Sequence, residues 1–285
     1  MLSWQVGAVK ITRVLEIEVP VAYYPKYPFI RGATPEAVKA IPWLYPRFID
    51  EHGALRLSIH ALLVEAPGLR LVVDTCFGND KKRRMLREPL ATDFLAQMAS
   101  VGWEREAVDV VVCTHLHVDH VGWNTMKQGD SWVPTFPNAR YLIGRRELEH
   151  WTAELEDAEQ QDVLVDSVQP ILDAGLAELV EPDYRISPEI RLTPTHGHTP
   201  GHVSVVIESE GQRAVITGDI SHHPCQMAHP EWCPDVDVDP AQAIATRRRL
   251  FAEWADQPVL VIGTHYAAPT AGHVKRDGEA FRFDD

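Results

Sequence analysis

The segment that most constrains this chain is residues 108–120, an apolar run that ends in the sequence HLHVDH. Residues 108–114 are mostly apolar, which predicts a buried strand that delivers polar groups at its end. Three histidines and one aspartate within six residues do not suit an ordinary core, because each buried polar group needs a partner. Imidazole nitrogens and carboxylate oxygens bind zinc, manganese, cobalt or iron. The segment therefore predicts a metal site.

Three later segments carry the same ligand types at the ends of predicted strands. Residues 193–202 read TPTHGHTPGH, residues 217–219 read TGD, and residues 263–265 read GTH. Their candidate ligands are His198, Asp219 and His265. The four cysteines have no CxxC spacing, so neither a thiolate zinc site nor a disulfide framework is expected. An exposed histidine-rich loop is a weaker reading, because all four segments follow strands.

In this order, HLHVDH, GHTPGH, TGD and GTH resemble the motifs of the metallo-β-lactamase superfamily, over roughly residues 55–265. The resemblance implies an α/β fold, an αββα sandwich with two mixed sheets flanked by helices. It also implies two divalent metal ions, with Zn²⁺ expected first and Mn, Co or Fe as alternatives. In the implied ligand set, one ion is bound by His115, His117 and His198, the other by Asp119, His120 and His265, and Asp219 bridges the two with a water or hydroxide.

The resemblance extends to residues that support the ligands or the reaction. Asp74, at the end of the predicted strand 69–74, resembles the carboxylate that orients a ligating histidine. His202, the last histidine of GHTPGH, is expected to support the site rather than to bind metal. Asp119 is also expected to carry a proton to the leaving group.

Differences from particular branches of the superfamily reduce the number of branches that the chain can resemble. Asp219 stands where the commonest lactamases have cysteine, and no C-terminal helical domain like that of glyoxalase II is present. The pattern is most similar to lactonases and methyl parathion hydrolase-like enzymes. Acyl-homoserine lactonases have a tyrosine three residues after the bridging aspartate, where this chain has His222. His222 is expected to donate a hydrogen bond to the oxyanion or to support the ligands.

These motifs lead to one main functional expectation and two alternatives. The main expectation is hydrolysis of an apolar lactone or carboxylic ester by a metal-bridging hydroxide. One alternative is a phosphotriester hydrolase that uses the same nucleophile. The other is a metal-binding sensor without turnover, which a full set of seven ligands disfavours.

Charge and composition limit the partners. The net charge of −14 argues against a nucleic-acid partner and against an anionic membrane surface. The N-terminus shows no secretory signal, and no apolar stretch approaches the roughly 18 residues of a membrane span. The chain is therefore expected to be cytoplasmic, with a homodimer as an open expectation.

One domain over residues 1–285 is expected, with residues 20–50 as an aromatic and proline-rich segment. The many prolines of this segment forbid a long helix or a central strand, so it is expected to be either a packed loop or a lid over a pocket. The predicted strands are 8–19, 57–65, 69–74, 108–114, 139–143, 177–180, 189–193, 203–208, 213–217 and 259–262, the last in the chain. The predicted helices are 90–100, 145–152, 162–174 and 240–254.

Overall fold

The computed structural model describes residues 1–285, which divide into two compact units. The first unit comprises Met1–Glu16 and Ile59–Tyr184, and the second comprises Ile17–Ser58 and Arg185–Asp285. A single domain over the whole chain stays a prediction. No helix combines the length and the apolarity needed to cross a membrane.

Fifteen strands and seven α-helices make up the regular structure. The strands are β1 (Ser3–Val6), β2 (Val9–Val21), β3 (Leu55–Ala66), β4 (Leu69–Val73), β5 (Val110–Val112), β6 (Thr125–Gln128), β7 (Ser131–Pro134), β8 (Arg140–Gly144), β9 (Ala177–Val180), β10 (Ile190–Pro194), β11 (Val203–Ser209), β12 (Gln212–Ile216), β13 (Val259–Ile262), β14 (Ala271–Asp277) and β15 (Ala280–Asp284). The helices are α1 (Pro35–Lys39), α2 (Phe94–Ser100), α3 (Arg145–Ala153), α4 (Ala158–Val163), α5 (Gln169–Asp173), α6 (Cys225–Ala228) and α7 (Pro240–Trp254).

The first unit is built on a mixed sheet in the order β1-β2-β3-β4-β5-β8-β9, to which β2 contributes residues up to Glu16 and β3 residues from Ile59. Strands β4, β5, β8 and β9 are parallel neighbours. All three residues of β5 are buried, as expected for a parallel strand covered on both faces. One turn of π-helix at Leu164–Val168 joins α4 to α5, so the helix predicted at 162–174 begins earlier and is interrupted.

The second unit is built on a mixed sheet in the order β10-β11-β12-β13-β14-β15. Only β12 and β13 pair in parallel, and the other neighbours are antiparallel. The strands predicted at 203–208 and 213–217 are confirmed as β11 and β12, and they form an antiparallel hairpin. Its two turn residues, Glu210 and Gly211, have φ of 50° and 77°, the left-handed values that suit a tight hairpin turn. The α/β class and the two mixed sheets with helices are confirmed.

Residues 20–50 belong in part to the core of the second unit. The short helix α1 begins at Pro35, and Thr34 caps it by accepting a hydrogen bond from the backbone of Ala37. Ile30, Val38, Leu44 and Phe48 are fully buried in this core. In contrast, Tyr24, Tyr27 and Tyr45 are exposed. Packing thus explains the buried apolar residues of the segment, and a role as a lid stays a prediction.

The prediction that 259–262 is the last strand was wrong, because β14 and β15 follow it as an antiparallel hairpin. Charged residues such as Lys275, Arg276 and Arg282 hide this hairpin from a search for apolar runs. The side chains alternate, however, and Val274, Phe281 and Phe283 are buried on one face. The hairpin therefore completes the core of the second unit.

Candidate metal centre

In the first unit, the HLHVDH segment follows β5 directly and brings three imidazoles together. The rings of His115 and His120 lie 4.0 Å apart between centroids, and His115 Nε2 lies 3.1 Å from His117 Nδ1. His115 and His120 are fully buried, whereas the Asp119 side chain keeps 17% of its surface exposed. Of these groups, Asp119 is thus the charged one that solvent can reach.

Asp74 orients His120. Its Oδ2 accepts a hydrogen bond from His120 Nδ1 over 2.9 Å. The same carboxylate accepts from the backbone and hydroxyl of Thr114, each over 2.8 Å. With Nδ1 donating, His120 presents the lone pair of Nε2, which lies 3.7 Å from Asp119 Oδ1. This contact supports the role expected of Asp74.

Two helices hold the backbone of the HLHVDH segment at Leu116. The Leu116 N–H donates to Glu147 Oε1 on α3, and the Leu116 carbonyl accepts from Gln160 Nε2 on α4. Trp151 Nε1 donates to the same Glu147 oxygen over 2.7 Å. The backbone between His115 and His117 is therefore fixed on both sides, by residues that no sequence motif singled out.

A buried carboxyl group, Glu16, joins two loops that flank the segment. It accepts hydrogen bonds from the backbone N–H groups of Phe77 and Gly78 and from Trp123 Nε1. Burial raises its pKa to about 7, and these three hydrogen bonds act in the opposite direction. Trp123 stacks on Phe94 with ring centroids 5.4 Å apart, so it packs in the core.

In the second unit, parallel pairing of β12 and β13 explains why Asp219 and His265 meet. Asp219 lies in the turn Gly218–Ile220 after β12, and His265 follows β13. The carboxyl ends of parallel neighbours lie at one edge of a sheet. His265 Nε2 is 3.1 Å from Asp219 Oδ2, and His198 Nε2 is 3.5 Å from the same oxygen.

The opposite ring nitrogens of these two histidines are tied by hydrogen bonds. His198 Nδ1 donates to Asp237 Oδ1 over 2.8 Å, and His265 Nδ1 donates to the Ser58 carbonyl over 3.2 Å. Both Nε2 atoms then carry lone pairs and face the carboxylate oxygen of Asp219, which also carries lone pairs. Such a buried arrangement needs a positive charge among the facing atoms, and a metal ion would supply it. The donor set therefore fits a metal ion, and anchored second nitrogens are usual for ligating histidines.

His202 uses both ring nitrogens within the protein. Its Nε2 accepts a hydrogen bond from the Asp219 backbone N–H over 2.7 Å. Its Nδ1 donates to Thr195 Oγ1 over 2.8 Å. This arrangement supports the expectation that His202 holds the Asp219 turn rather than binding metal.

His222 lies beside the same carboxylate as His198 and His265. Its Nε2 is 3.1 Å from Asp219 Oδ2, and its ring stacks nearly parallel to that of His265. Unlike the other two rings, its Nδ1 is buried without a hydrogen-bond partner. The ring of Phe29 meets His222 edge-on, with centroids 5.6 Å apart. The Nε2 atom of His222 therefore contacts the Asp219 carboxylate, while its Nδ1 atom makes no hydrogen bond.

Asp237 is the residue at this site that the sequence reasoning missed. It lies in the run DVDVD at residues 235–239, where the spacing of three aspartates gave no reason to prefer one. Asp239 caps α7, Asp235 pairs with Arg31 at the surface, and the Asp237 side chain is fully buried. Burial raises its pKa, and charges on His222 and Arg247 oppose that shift.

The motifs and the fold agree with known proteins. The family model of the metallo-β-lactamase superfamily matches residues 55–265. An N-acyl homoserine lactonase of Bacillus thuringiensis is 29% identical over 165 residues, 57% of this chain and 58% of that protein. A protein of the same name from Bacillus cereus is 32% identical over 166 residues, with the same coverage. The chain thus spans under two thirds of the length of these relatives.

Two solved structures share the fold over nearly the full length. A hydrolase of the β-lactamase superfamily named AbOPH has a TM-score of 0.81 at 24% identity and covers 99% of this chain and 96% of its own. The dizinc quorum-quenching lactonase AidC, in complex with an N-acyl homoserine product, has a TM-score of 0.81 at 20% identity. The match covers 99% of this chain and 95% of AidC. The expected fold is confirmed.

Proposed function

Because the chain belongs to the metallo-β-lactamase superfamily, we propose that it is a dinuclear metal-dependent hydrolase of lactones or carboxylic esters. The observation that carries this proposal is the set of buried imidazole nitrogens that face Asp219 while their second nitrogens are tied. The names of the lactonase relatives favour the same activity.

The proposed ligand assignment follows the family pattern. His115, His117 and His198 hold one ion, Asp119, His120 and His265 hold the other, and Asp219 is shared. The ligands are oxygen and nitrogen only, so zinc is the proposed metal, with Mn, Co or Fe as alternatives. Two cations close together repel each other, and a shared carboxylate offsets part of that repulsion.

When bound, the metal ions lower the pKa of a water molecule and polarise the substrate carbonyl. The protein's own groups then orient the substrate and move protons. Asp119, the more exposed carboxylate, takes up a proton and passes it to the leaving alkoxide. His222 donates a hydrogen bond to the carbonyl oxygen as negative charge develops there.

The apolar part of the substrate is proposed to bind against Phe29. Phe29 lines a shallow depression in the second unit together with Val21, Tyr23, Ile30 and Leu55. Its ring also touches His222, so this apolar surface extends up to a polar group of the site. An acyl or aryl group fits such a surface better than a charged group does.

Replacing the shared carboxylate tests the proposal. In Asp219→Ala we expect metal content and lactone hydrolysis to be lost together, with activity at least a hundredfold lower because several ligands lose their common partner. Elemental analysis and hydrolysis of γ- and δ-lactones are the measurements. Asp277→Ala, at the exposed last residue of β14, is the matched control. Full lactonase activity in a metal-depleted Asp219→Ala would disprove the proposal.

A phosphotriester substrate is the second candidate, and His222 favours it. Acyl-homoserine lactonases have tyrosine at this position, whereas histidine is similar to methyl parathion hydrolase-like enzymes. The same preparation, with defined metal content, should be compared on lactones and on paraoxon-like esters. If kcat/KM is higher for the phosphotriester by more than tenfold, the second candidate replaces the first.

A further inference from the structure

Helix α7 and the loop before it hold the backbone that carries His198. Thr246 Oγ1 donates to the His196 carbonyl over 2.7 Å. The Asp239 and Val238 N–H groups donate to the carbonyls of Gly197 and His198, each over 2.9 Å. The position of His198 therefore depends on where α7 and its entry loop lie.

One buried guanidinium, that of Arg247 on α7, joins this loop to the Asp219 turn. Its Nε donates over 2.6 Å to the carbonyl of Ile220, the residue after Asp219. Its Nη1 donates to the carbonyls of Pro230 and Trp232 over 2.7 and 3.0 Å. Its side chain is fully buried, so none of these hydrogen bonds is exchanged for water.

The same guanidinium also pairs with the carboxylate that holds His198. Arg247 Nη2 lies 3.6 Å from Asp237 Oδ2, an ion-pair distance, and neither atom has a hydrogen-bond partner. The other oxygen of Asp237 accepts from His198 Nδ1. The positive charge offsets the buried negative charge of Asp237, which would otherwise be costly.

We infer that Arg247 is a positioning residue for the metal ligands of the second unit. It acts on His198 through Asp237, and on Asp219 through the Ile220 carbonyl. This inference rests on the proposed function, since it assumes that His198 and Asp219 bind metal. Lysine cannot replace Arg247, because a single ammonium cannot reach the three carbonyls and the carboxylate from the same place.

The test compares two buried variants with two exposed ones from the same elements. The buried variants are Asp237→Asn and Arg247→Lys, with their double variant. The controls are Asp235→Asn, at a half-exposed aspartate two residues away, and Arg248→Lys, at the exposed neighbour of Arg247 on α7. Thermal unfolding of each metal-free protein establishes that it is folded. If Arg247→Lys does not fold, Asp237→Asn decides the question.

Metal affinity is measured by competition with a chelator, and ligand geometry by the visible spectrum of the Co²⁺-loaded protein. We expect each buried variant to lose about 10–100-fold in affinity for one metal and to show a changed Co²⁺ spectrum. The double variant should lose less than the product of the two single losses, because both act on one chain of contacts. The controls should match the wild type.

The outcomes separate this inference from the proposed function. Wild-type affinity and spectrum in both buried variants would overturn the inference and leave the proposed function intact. Lower thermal stability with unchanged affinity and spectrum would also overturn it, because the residues would then be merely structural. A wild-type protein that binds no metal would overturn the proposed function itself, and with it the inference.

Discussion

Three histidines of the proposed metal centre are oriented by a hydrogen bond at Nδ1. His120 is tied to Asp74, His198 to Asp237, and His265 to the Ser58 carbonyl. His222 has no such tie at Nδ1. Since a donated N–H fixes the tautomer, the first three rings are prepared to offer a lone pair at Nε2. This difference is the physical reason for assigning His222 to substrate rather than to metal.

Glu16 provides a prediction of how stability depends on pH. Its pKa is about 7 in the folded protein against 4.5 for an ordinary glutamate, so the folded state binds the extra proton between these values. Stability from this group is therefore full below pH 4.5 and is lost as pH rises through 7, by about 3 kcal/mol in total.

The variant Glu16→Gln should remove this pH dependence. Urea unfolding of both proteins from pH 4.5 to 8, at equal metal content, gives the free energy of unfolding at each pH. As pH rises, the free energy of unfolding of the wild type should fall relative to that of Glu16→Gln. A difference that stays constant across this range would show that Glu16 has an ordinary pKa.

At the scale of elements, short turns after strands carry the candidate ligands. Some of these turns need backbone conformations that only glycine adopts easily. Gly197 in the turn before His198 has φ of 135°, and a Cβ atom there would lie 2.3 Å from the backbone nitrogen of Ala243 on α7. Both features require glycine. The turn is thus fitted against α7, the helix that also carries Arg247.

We expect Gly197→Ala to lower the free energy of unfolding by about 1–3 kcal/mol from the backbone alone. The clash with Ala243 adds to this loss and displaces His198, so metal affinity should fall as well. Gly211→Ala is the control, because Gly211 also has positive φ but nothing lies within 4 Å of its Cβ position. Urea unfolding and chelator competition are the measurements. Equal effects on stability, with metal affinity unchanged in both, would contradict the expected clash.

For the molecule as a whole, metal removal should cost stability. Ligands that bind only the folded state stabilise it by about 4 kcal/mol at a thousand times their Kd. A chelator should therefore lower the Tm of the wild type clearly in calorimetry. The Tm of Asp219→Ala should not respond, because that variant has already lost the metal. An equal shift in both proteins would mean that the chelator acts elsewhere.

The expected cytoplasmic location, the homodimer and the single domain over 1–285 all stay predictions. The net charge of −14 disfavours polyanionic partners, but it does not identify a substrate.

The candidate ligand residues could be proposed from the sequence because their signal is local in the chain, and the fold class followed from the resemblance of these motifs to a known family. A strand that ends in HLHVDH, and later strand ends at Asp219 and His265, carry their own pattern of apolar and polar residues. The hairpin β14–β15 was missed because its charged, outward-facing residues mask the alternation. Boundaries also differed, as for β5, which is shorter than residues 108–114.

Only the tertiary structure decided which residues hold the ligands in place. Asp237 is one of three aspartates in DVDVD. Glu16 is 107 residues from Trp123 along the chain, and Arg247 is 27 residues from Ile220. Their roles arise because burial removes water as a partner, so the protein groups that folding places around each charge must satisfy it. The sequence alone thus determined the chemistry of the ligands, whereas folding decided the orientation of each ring nitrogen, because hydrogen-bond partners are set by proximity in space.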